Sequence, residues 1–240
     1  MNKKLPFRFF TTHPRVVILE WDRKPDNTLL NQLIDFQKHI LRRFKEVTQI
    51  TQGYASLMLF HNTEVHHIAD YSKKLYLIFE SLPTKAVKKG RLWQIPVCYD
   101  NSFALDLKAL ALKLNLSPEA LVELHTSASY QVYFIGFLPG FLYLGGLPKV
   151  LEHPRKIKPS PHVPQGSVGI GGKQTGIYPF DSPGGWYVIG KTPYPLFEPQ
   201  KKKPCFAQTG DSIQFVPISK SEFMELDRQK KNGSLKLKPS

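Results

Sequence analysis

The chain has 240 residues, 41% of them hydrophobic, and its 33 lysines and arginines outnumber 19 aspartates and glutamates for a formal net charge of +14. That apolar share excludes global disorder, and the length suits one large or two ordinary domains. The charge raises nucleic acid as a partner, but the basic clusters at Lys88–Arg91, Arg155–Lys158, Lys201–Lys203 and the tail lack interleaved aromatics and helix-turn-helix or zinc-finger spacing; a solvated basic surface or a docking face for an acidic partner is expected instead.

The first elements are extended. FRFF and VVILEW flank Thr11–Arg15, where the His13-Pro14 step favours an extended or turn conformation. Pro25–Thr28 offers a turn and a helix N-cap. Leu29, Leu30, Leu33, Ile34, Ile40, Leu41 and Phe44 then recur at a 3.6-residue period, interrupted only by Gln37, which predicts an amphipathic helix. Arg42, Arg43 and Lys45 near its end suit the macrodipole. Val47–Thr51 and Ser56–Phe60, separated by Gln52-Gly53-Tyr54, give a hairpin signal. Asn62 or Thr63 is placed to cap a second helix over Glu64–Leu82. His61, His66 and His67 read as solvated surface and no metal is expected, because no cysteine accompanies them and adjacent helix positions point apart. Strand, helix, hairpin and helix, followed by a strand at Leu92–Tyr99, is the split βαβ, ferredoxin-like order.

The PTKAVKKG stretch breaks the composition and predicts domains of residues 1–87 and 88–240. The second opens with RLWQIPVCY. A helix is expected over Phe103–Asn115, burying Leu105, Leu107, Leu110, Ala111 and Leu114. Ser117-Pro118-Glu119 signals another helix start, and that helix ends near His125. His125 reads either as a charged residue favoured by the helix C-terminus or as a proton-handling group beside the loops that follow. A turn at Gly210-Asp211, a strand at Ser212–Pro217 and a short closing helix at Ser219–Lys231 complete the chain.

Twelve of the 16 glycines lie between Tyr130 and Pro193. Such density marks positive φ, bulges or close backbone approach, and alternating short apolar runs and turns read as a small barrel or sandwich with elaborate loops. Ser167, Lys173, Gln174, Thr175, Tyr178 and Ser182 sit among these glycines. Gly171-Gly172-Lys173 is expected to form an anion-binding backbone nest, with Gly171 in a conformation open only to glycine. The string contains no P-loop, GxSxG elbow, HExxH, biotin-attachment or dinucleotide fingerprint. Cys98 and Cys205 form no metal pair or disulfide framework and fit a reducing, cytoplasmic setting. The start, MNKKLPFRFF, lacks the apolar stretch of a signal peptide, and no run approaches the roughly 18 apolar residues of a spanning helix, so no membrane association is expected.

Three strings carry a resemblance. YQVYFIGFLPGFLYLGGLP, preceded by His125, then VPQGSVGIGGKQTGIYP, then SPGGWYVIGKTP, closely resemble the family of 5-oxoprolinase B subunits, with its relatives among allophanate hydrolase first subunits, urea carboxylase carboxyltransferase subdomains and a sporulation histidine-kinase inhibitor. The resemblance implies an α+β protein: an N-terminal ferredoxin-like α/β sandwich followed by a cyclophilin-like β-barrel with a glycine-rich cleft. It implies a complex in which the C subunit is the direct partner and the A subunit joins them, opening 5-oxo-L-proline to L-glutamate with ATP; whether this chain itself binds ATP is open. The kinase-inhibitor branch implies instead a regulatory module binding a histidine kinase, and the urea branch a carboxyltransferase-type subunit. The implied catalytic set is His125, Gln174, Thr175 and Tyr178. The implied substrate-binding set is Arg155, Gly166, Ser167, Gly171, Gly172, Lys173, Ser182, Gly185 and Trp186. Two departures stand out: Ser160 ends the Pro154–Ser160 stretch where the family reads arginine, and Ala104 follows Phe103 where the family tends to read glycine.

Overall fold

Hydrophobic alternation decides the first sheet. In the computed structural model, which describes residues 6–83, 90–235 and 237, strand β2 (Val16–Glu20) buries Val17 and Leu19 completely and leaves its alternate residues partly exposed. The chain divides into two compact units, Met1–Lys89 and Gly90–Ser240. The 87/88 boundary expected from composition lies outside the described residues.

The first unit runs β1 (Arg8–His13), β2, α1 (Asn27–Arg43), β3 (Val47–Gln52), β4 (Ser56–His61) and α2 (Ile68–Glu80). Its sheet has the order β1-β2-β4-β3, antiparallel throughout. β2, α1 and β3 form a split βαβ with β4 between the strands, so the layout is ferredoxin-like. Its outer strand is β1, however; the strand that follows α2 goes to the barrel instead. Asp26 caps α1 by accepting from Leu29 N–H at 2.7 Å. The apolar stripe of α1 includes Phe36, which packs among Phe7, Trp21 and Phe79, whereas Leu41 turns outward and is 46% exposed. α2 begins a turn later than its sequence suggests: Val65 N–H is held by Pro14 C=O at 2.9 Å, and no side chain caps the helix. His66 and His67 are exposed, but His61 is buried, bonded through Nε2 to the Tyr71 hydroxyl and through Nδ1 to Arg15 C=O.

The second unit contains β5 (Leu92–Cys98), α3 (Leu107–Lys113), α4 (Pro118–Ser127), β6 (Ser129–Ile135), β7 (Leu142–Gly145), β8 (Ser160–Val163), β9 (Ser167–Gly171), β10 (Gln174–Ile177), β11 (Ser182–Gly184), β12 (Tyr187–Lys191), β13 (Ser212–Ile218) and α5 (Lys220–Lys231). Seven strands close a barrel in the order β10-β7-β6-β13-β5-β12-β9, and β11 pairs with β8 in a separate ribbon. Closure removes the unpaired edges that an open sheet presents. Tyr130, Val132, Leu142, Leu144, Val168, Ile170, Ile177, Ile189 and Phe215 fill the core. Ser117 caps α4 as its sequence predicts. The helix expected from Phe103 begins only at Leu107, and Leu105 is 63% exposed.

One carboxylate fixes the longest-range pairing. β13 runs parallel to β5, from Ser212 beside Leu92 to Ile218 beside Cys98. Asp211, with no exposed surface, accepts from Arg91 N–H, Trp93 Nε1–H and Gln208 N–H at 2.9–3.0 Å. Truncating it leaves three donors without an acceptor, each costing about 1–3 kcal/mol where buried. Asp211→Ala is therefore expected to destabilise the chain by about 3–5 kcal/mol; a urea midpoint within experimental error of wild type would refute this role.

Candidate functional site

The barrel wall made by β9 and β10 has two faces of opposite character. Inward, Val168, Ile170, Thr175 and Ile177 are fully buried. Outward lie Gly169, Gly171 and Gly176, and Gln174, which pairs with Gly171 across the hairpin. A site is built against each face.

On the inner side, α4 delivers His125 into the barrel. Its ring stacks on Phe215 with centroids 4.6 Å apart, and its carbonyl accepts from the Tyr130 hydroxyl at 2.8 Å. Nδ1 lies 2.9 Å from the Tyr99 hydroxyl and Nε2 2.9 Å from Thr175 Oγ1, which itself donates to Gly169 C=O. Because the Thr175 proton is committed to Gly169, Oγ1 accepts from His125 Nε2–H, and Nδ1 accepts from Tyr99. The tautomer follows from this bonding pattern. Burial alone pushes the imidazole down to about 3, so it is neutral at physiological pH. The charged, dipole-favoured histidine expected at this helix end is thus replaced by a neutral cross-brace. With no exposed surface, His125 and Thr175 face neither solvent nor a cleft.

On the outer side, the glycines form a floor for Trp186. A Cβ on Gly171 would stand 2.2 Å from Trp186 Cδ1, one on Gly176 3.0 Å from Cζ3, and one on Gly169 3.2 Å from Cβ. The indole is buried and packs with Phe141, Val163, Tyr178 and Val188 in a satellite core. Above it opens a cleft of about 110 Å³, lined by Phe137, Phe141, Tyr143, Arg155, Tyr178 and Pro183–Trp186. Phe137 guards its mouth at 70% exposure and holds a φ of 65°, a left-handed conformation rare for an aromatic residue and costing about 1–3 kcal/mol. The Trp186 backbone N–H bonds the Tyr178 phenol, while burial raises that phenol above its ordinary value, so the hydroxyl keeps its proton and can donate.

The loop that carries Arg155 is pinned beside it. Lys156 N–H donates to Gly185 C=O at 2.7 Å, and its ammonium reaches Asp106 at 2.6 Å and Ser160 Oγ at 3.1 Å. Asp106 also accepts from Val188 N–H at 2.7 Å, so this carboxylate serves the loop and the barrel rather than capping α3. Ser160, where the resemblance implied arginine, provides a hydroxyl for the Lys156 head. Arg155 is left to rest over Trp186, 5.7 Å from the ring, and among the described residues its guanidinium has no hydrogen-bond or ion-pair partner.

The expected residues therefore separate. Arg155, Tyr178, Gly185 and Trp186 meet in the cleft, with Gly171 beneath the indole. Among the described residues, Gln174 Oε1 and Ser182 Oγ are buried without hydrogen-bond partners, the first on the glycine face and the second next to Pro183 in the chain. Gly166 and Ser167 form the turn into β9, where Gly166 has a φ of 82°. Lys173 is exposed at the hairpin tip. The expected anion nest is closed, because Gly172 N–H donates to His153 C=O at 2.7 Å. The positive φ, 65°, belongs to Gly172; Gly171 is required for the indole's approach instead. Phe141 and Tyr143 are cleft residues missed from the sequence, although they alternate with the inward Leu142 and Leu144. The Lys156–Asp106 pair spans 50 positions and has no local signal. A larger open groove of about 710 Å³ beside α3 and α4 contains none of the expected residues.

Comparison with known proteins follows this geometry. Residues 7–207 match the family described as carboxyltransferase domain, subdomain C and D. The B subunit of 5-oxoprolinase from Bacillus subtilis is 49% identical over 133 residues, covering 55% of this chain and 55% of that protein. The Escherichia coli O157:H7 protein of the same name is 49% identical over 129 residues, 54% of this chain and 59% of its own length. The chain thus spans less than two thirds of the curated relatives it matches. A solved structure of a conserved uncharacterized protein from Pyrococcus horikoshii is 32% identical, with TM-score 0.54, covering 90% of this chain and all of that one. The K. lactis urea amidolyase structure covers this whole chain at TM-score 0.81 but is only 16% identical and shares the fold, the match taking 16% of its length.

Two outcomes test the two faces. Gly171→Val is expected to displace Trp186 and destabilise the chain by about 1–3 kcal/mol, seen as an earlier urea transition with altered near-ultraviolet circular dichroism; an unchanged spectrum would remove the glycine floor. His125 takes up a proton near 6.5 when unfolded and only near 3 when folded, so its contribution is complete above about pH 6.5 and is lost as pH falls toward 3. In that window wild type should lose stability faster than His125→Asn, by up to about 1.4 kcal/mol per pH unit. Parallel pH profiles of the two proteins would contradict the buried neutral imidazole.

Proposed function

This chain belongs to the family of the carboxyltransferase domain, subdomain C and D, and from that premise we propose that it is the B subunit of an ATP-dependent 5-oxoprolinase. The observation that carries this reading is 48–49% identity with 5-oxoprolinase B subunits from three bacteria. In this reading the chain works in the cytoplasm, with the enzyme's C subunit for its direct partner and the A subunit next to them. The complex breaks the lactam C–N bond of 5-oxo-L-proline. One water supplies the new carboxylate oxygen and the amine hydrogen, while a second converts ATP to ADP and phosphate.

The cleft supports this assignment chemically. A lactam resists attack because its nitrogen donates into the carbonyl, and hydrolysis places negative charge on the amide oxygen. Preorganised donors in a water-poor site favour that charge. Tyr178 offers a protonated hydroxyl in the cleft, beside aromatic walls from Phe141, Tyr143 and Trp186. On the glycine face, Gln174 Oε1 is buried without a hydrogen-bond partner among the described residues and can accept from a donor such as an amide N–H.

A second reading has its own support: the family's description and 28% identity with the Lachancea kluyveri urea amidolyase favour carboxyl transfer to a urea-type amide. That chemistry requires a biotin-carrying partner; 5-oxoprolinase does not.

The deciding assay is ATP-dependent glutamate release from 5-oxoproline by the purified A and C components of the enzyme with and without this chain. Turnover that depends on the chain is expected. Independence, with both components competent when given a known B component, would refute the proposal and direct attention to suppression of histidine-kinase autophosphorylation. Gln174→Ala should lower turnover by about tenfold or more while shifting stability by less than about 1 kcal/mol, since no hydrogen bond is lost. Full turnover in a folded variant would exclude Gln174 from the site.

A further inference from the structure

Resting on the 5-oxoprolinase reading, we propose a division of labour: the Arg155–Trp186 cleft holds the carboxylated lactam, with Arg155 receiving its carboxylate, and the nucleotide is bound elsewhere in the complex.

Size separates the two ligands. Pockets for drug-sized molecules measure roughly 300–1,000 Å³. At about 110 Å³ the cleft is far below that range and suits a single small ring, not a nucleoside triphosphate. Two larger hollows lined by described residues have the wrong charge. The groove of about 710 Å³ beside α3 and α4 presents Asp100, Glu119 and Glu123 against Lys108. The hollow of about 430 Å³ in the first unit presents Glu46, Glu64 and Asp70 against Lys74, beside three histidines. Either excess of carboxylates repels a polyphosphate. The backbone nest that the glycine string suggested for phosphate is closed by the Gly172–His153 pair.

Inside the cleft the complement of a carboxylated lactam is present. Arg155 is an uncompensated guanidinium, and such a fork binds a carboxylate through two parallel N–H bonds. Asp106, the carboxylate that holds the neighbouring Lys156, is already occupied by that ammonium and by Val188 N–H. Trp186, Phe141 and Tyr143 offer flat walls to a planar ring, and Tyr178 a donor to the amide oxygen. Arg155, Tyr143 and Tyr178 line the same small cleft, so one small ligand can touch cation and phenol together. The pinned Lys156 fixes the loop, which keeps Arg155 over the indole without an acidic partner of its own.

The test uses the reconstituted complex and the full chain. Arg155→Gln should raise KM for 5-oxo-L-proline at least about tenfold, with a smaller change in kcat and no change in KM for ATP. Arg155→Lys should recover only part of the loss, because an ammonium lacks the planar fork. Titrating the chain alone, 5-oxo-L-proline should alter Trp186 fluorescence in wild type but not in Arg155→Gln, Trp186→Phe identifying the signal. The neutral lactam 2-pyrrolidinone should bind both Arg155 forms equally, and Mg-ATP neither. The proposal is overturned by an unchanged KM for 5-oxoproline, by a raised KM for ATP, by Mg-ATP binding to the chain, or by an effect confined to weaker assembly with the other components, which would make Arg155 a partner contact. Failure of the enzyme reading looks different: the wild-type complex would be inert, and the fluorescence titration alone would then decide the cleft.

Discussion

The approach of one indole to three glycines organises the second unit. Trp186 lies so close to Gly169, Gly171 and Gly176 that a methyl group at Gly171 would overlap its ring. Strand alternation makes this possible without weakening the barrel, since Ile170 and Thr175, the strand neighbours of those glycines, are buried on the inward side, the first apolar and the second hydrogen-bonded. The same hairpin is therefore a wall of the core and the floor of the cleft. Moving the indole would open the satellite core, expose Phe141 and Val163, and remove the surface over which Arg155 rests.

Polar groups in this unit are placed by what remains to pair with them. Asp211 saturates its oxygens with donors around the β5–β13 junction, and His125 spends both ring nitrogens inside the barrel. Asp106 and Lys156 satisfy each other while partly shielded from water, at 20% and 18% side-chain exposure. These groups are held by their partners and have little left to offer a ligand. Among the described residues Arg155, which lines the cleft, has no such partner, and Gln174 Oε1 and Ser182 Oγ are buried without one. In a chain of net charge +14, the Arg155 guanidinium rests over the Trp186 ring with no ion-pair partner among the described residues.

Much of this was legible in one dimension, and the misreadings share a cause. The glycine string pointed to the region of the cleft, but not to which glycine serves which purpose. Positive φ at Gly172 and close approach at Gly171 leave the same mark in a sequence. His125 and Thr175 stood in the implied catalytic set, His125 as a group that could handle protons; in the assembled barrel both are buried and bonded to each other as a brace. Leu105 fitted a helical stripe, but α3 starts after it because Asp106 is drawn to Lys156 and Val188. The strand Leu92–Cys98 was in sequence position to complete the first sheet, yet β1 takes that edge and β5 joins β13, 120 residues away in the case of the Arg91–Asp211 bond.

Local order was determined by the sequence alone: the strands by their alternation, the caps at Asp26 and Ser117 by their side-chain oxygens, and the family by three dense motifs. Those signals depend on neighbours within a turn or a hairpin, so they survive in a linear reading. The tertiary structure decided which side of the barrel wall each motif residue faces, which polar atoms are already paired, and that Arg155 is free while Lys156 is not. Those relations join residues from separate elements, 50 positions apart for His125–Thr175 and for Asp106–Lys156, and are set by burial and by competition for partners, which no local pattern encodes.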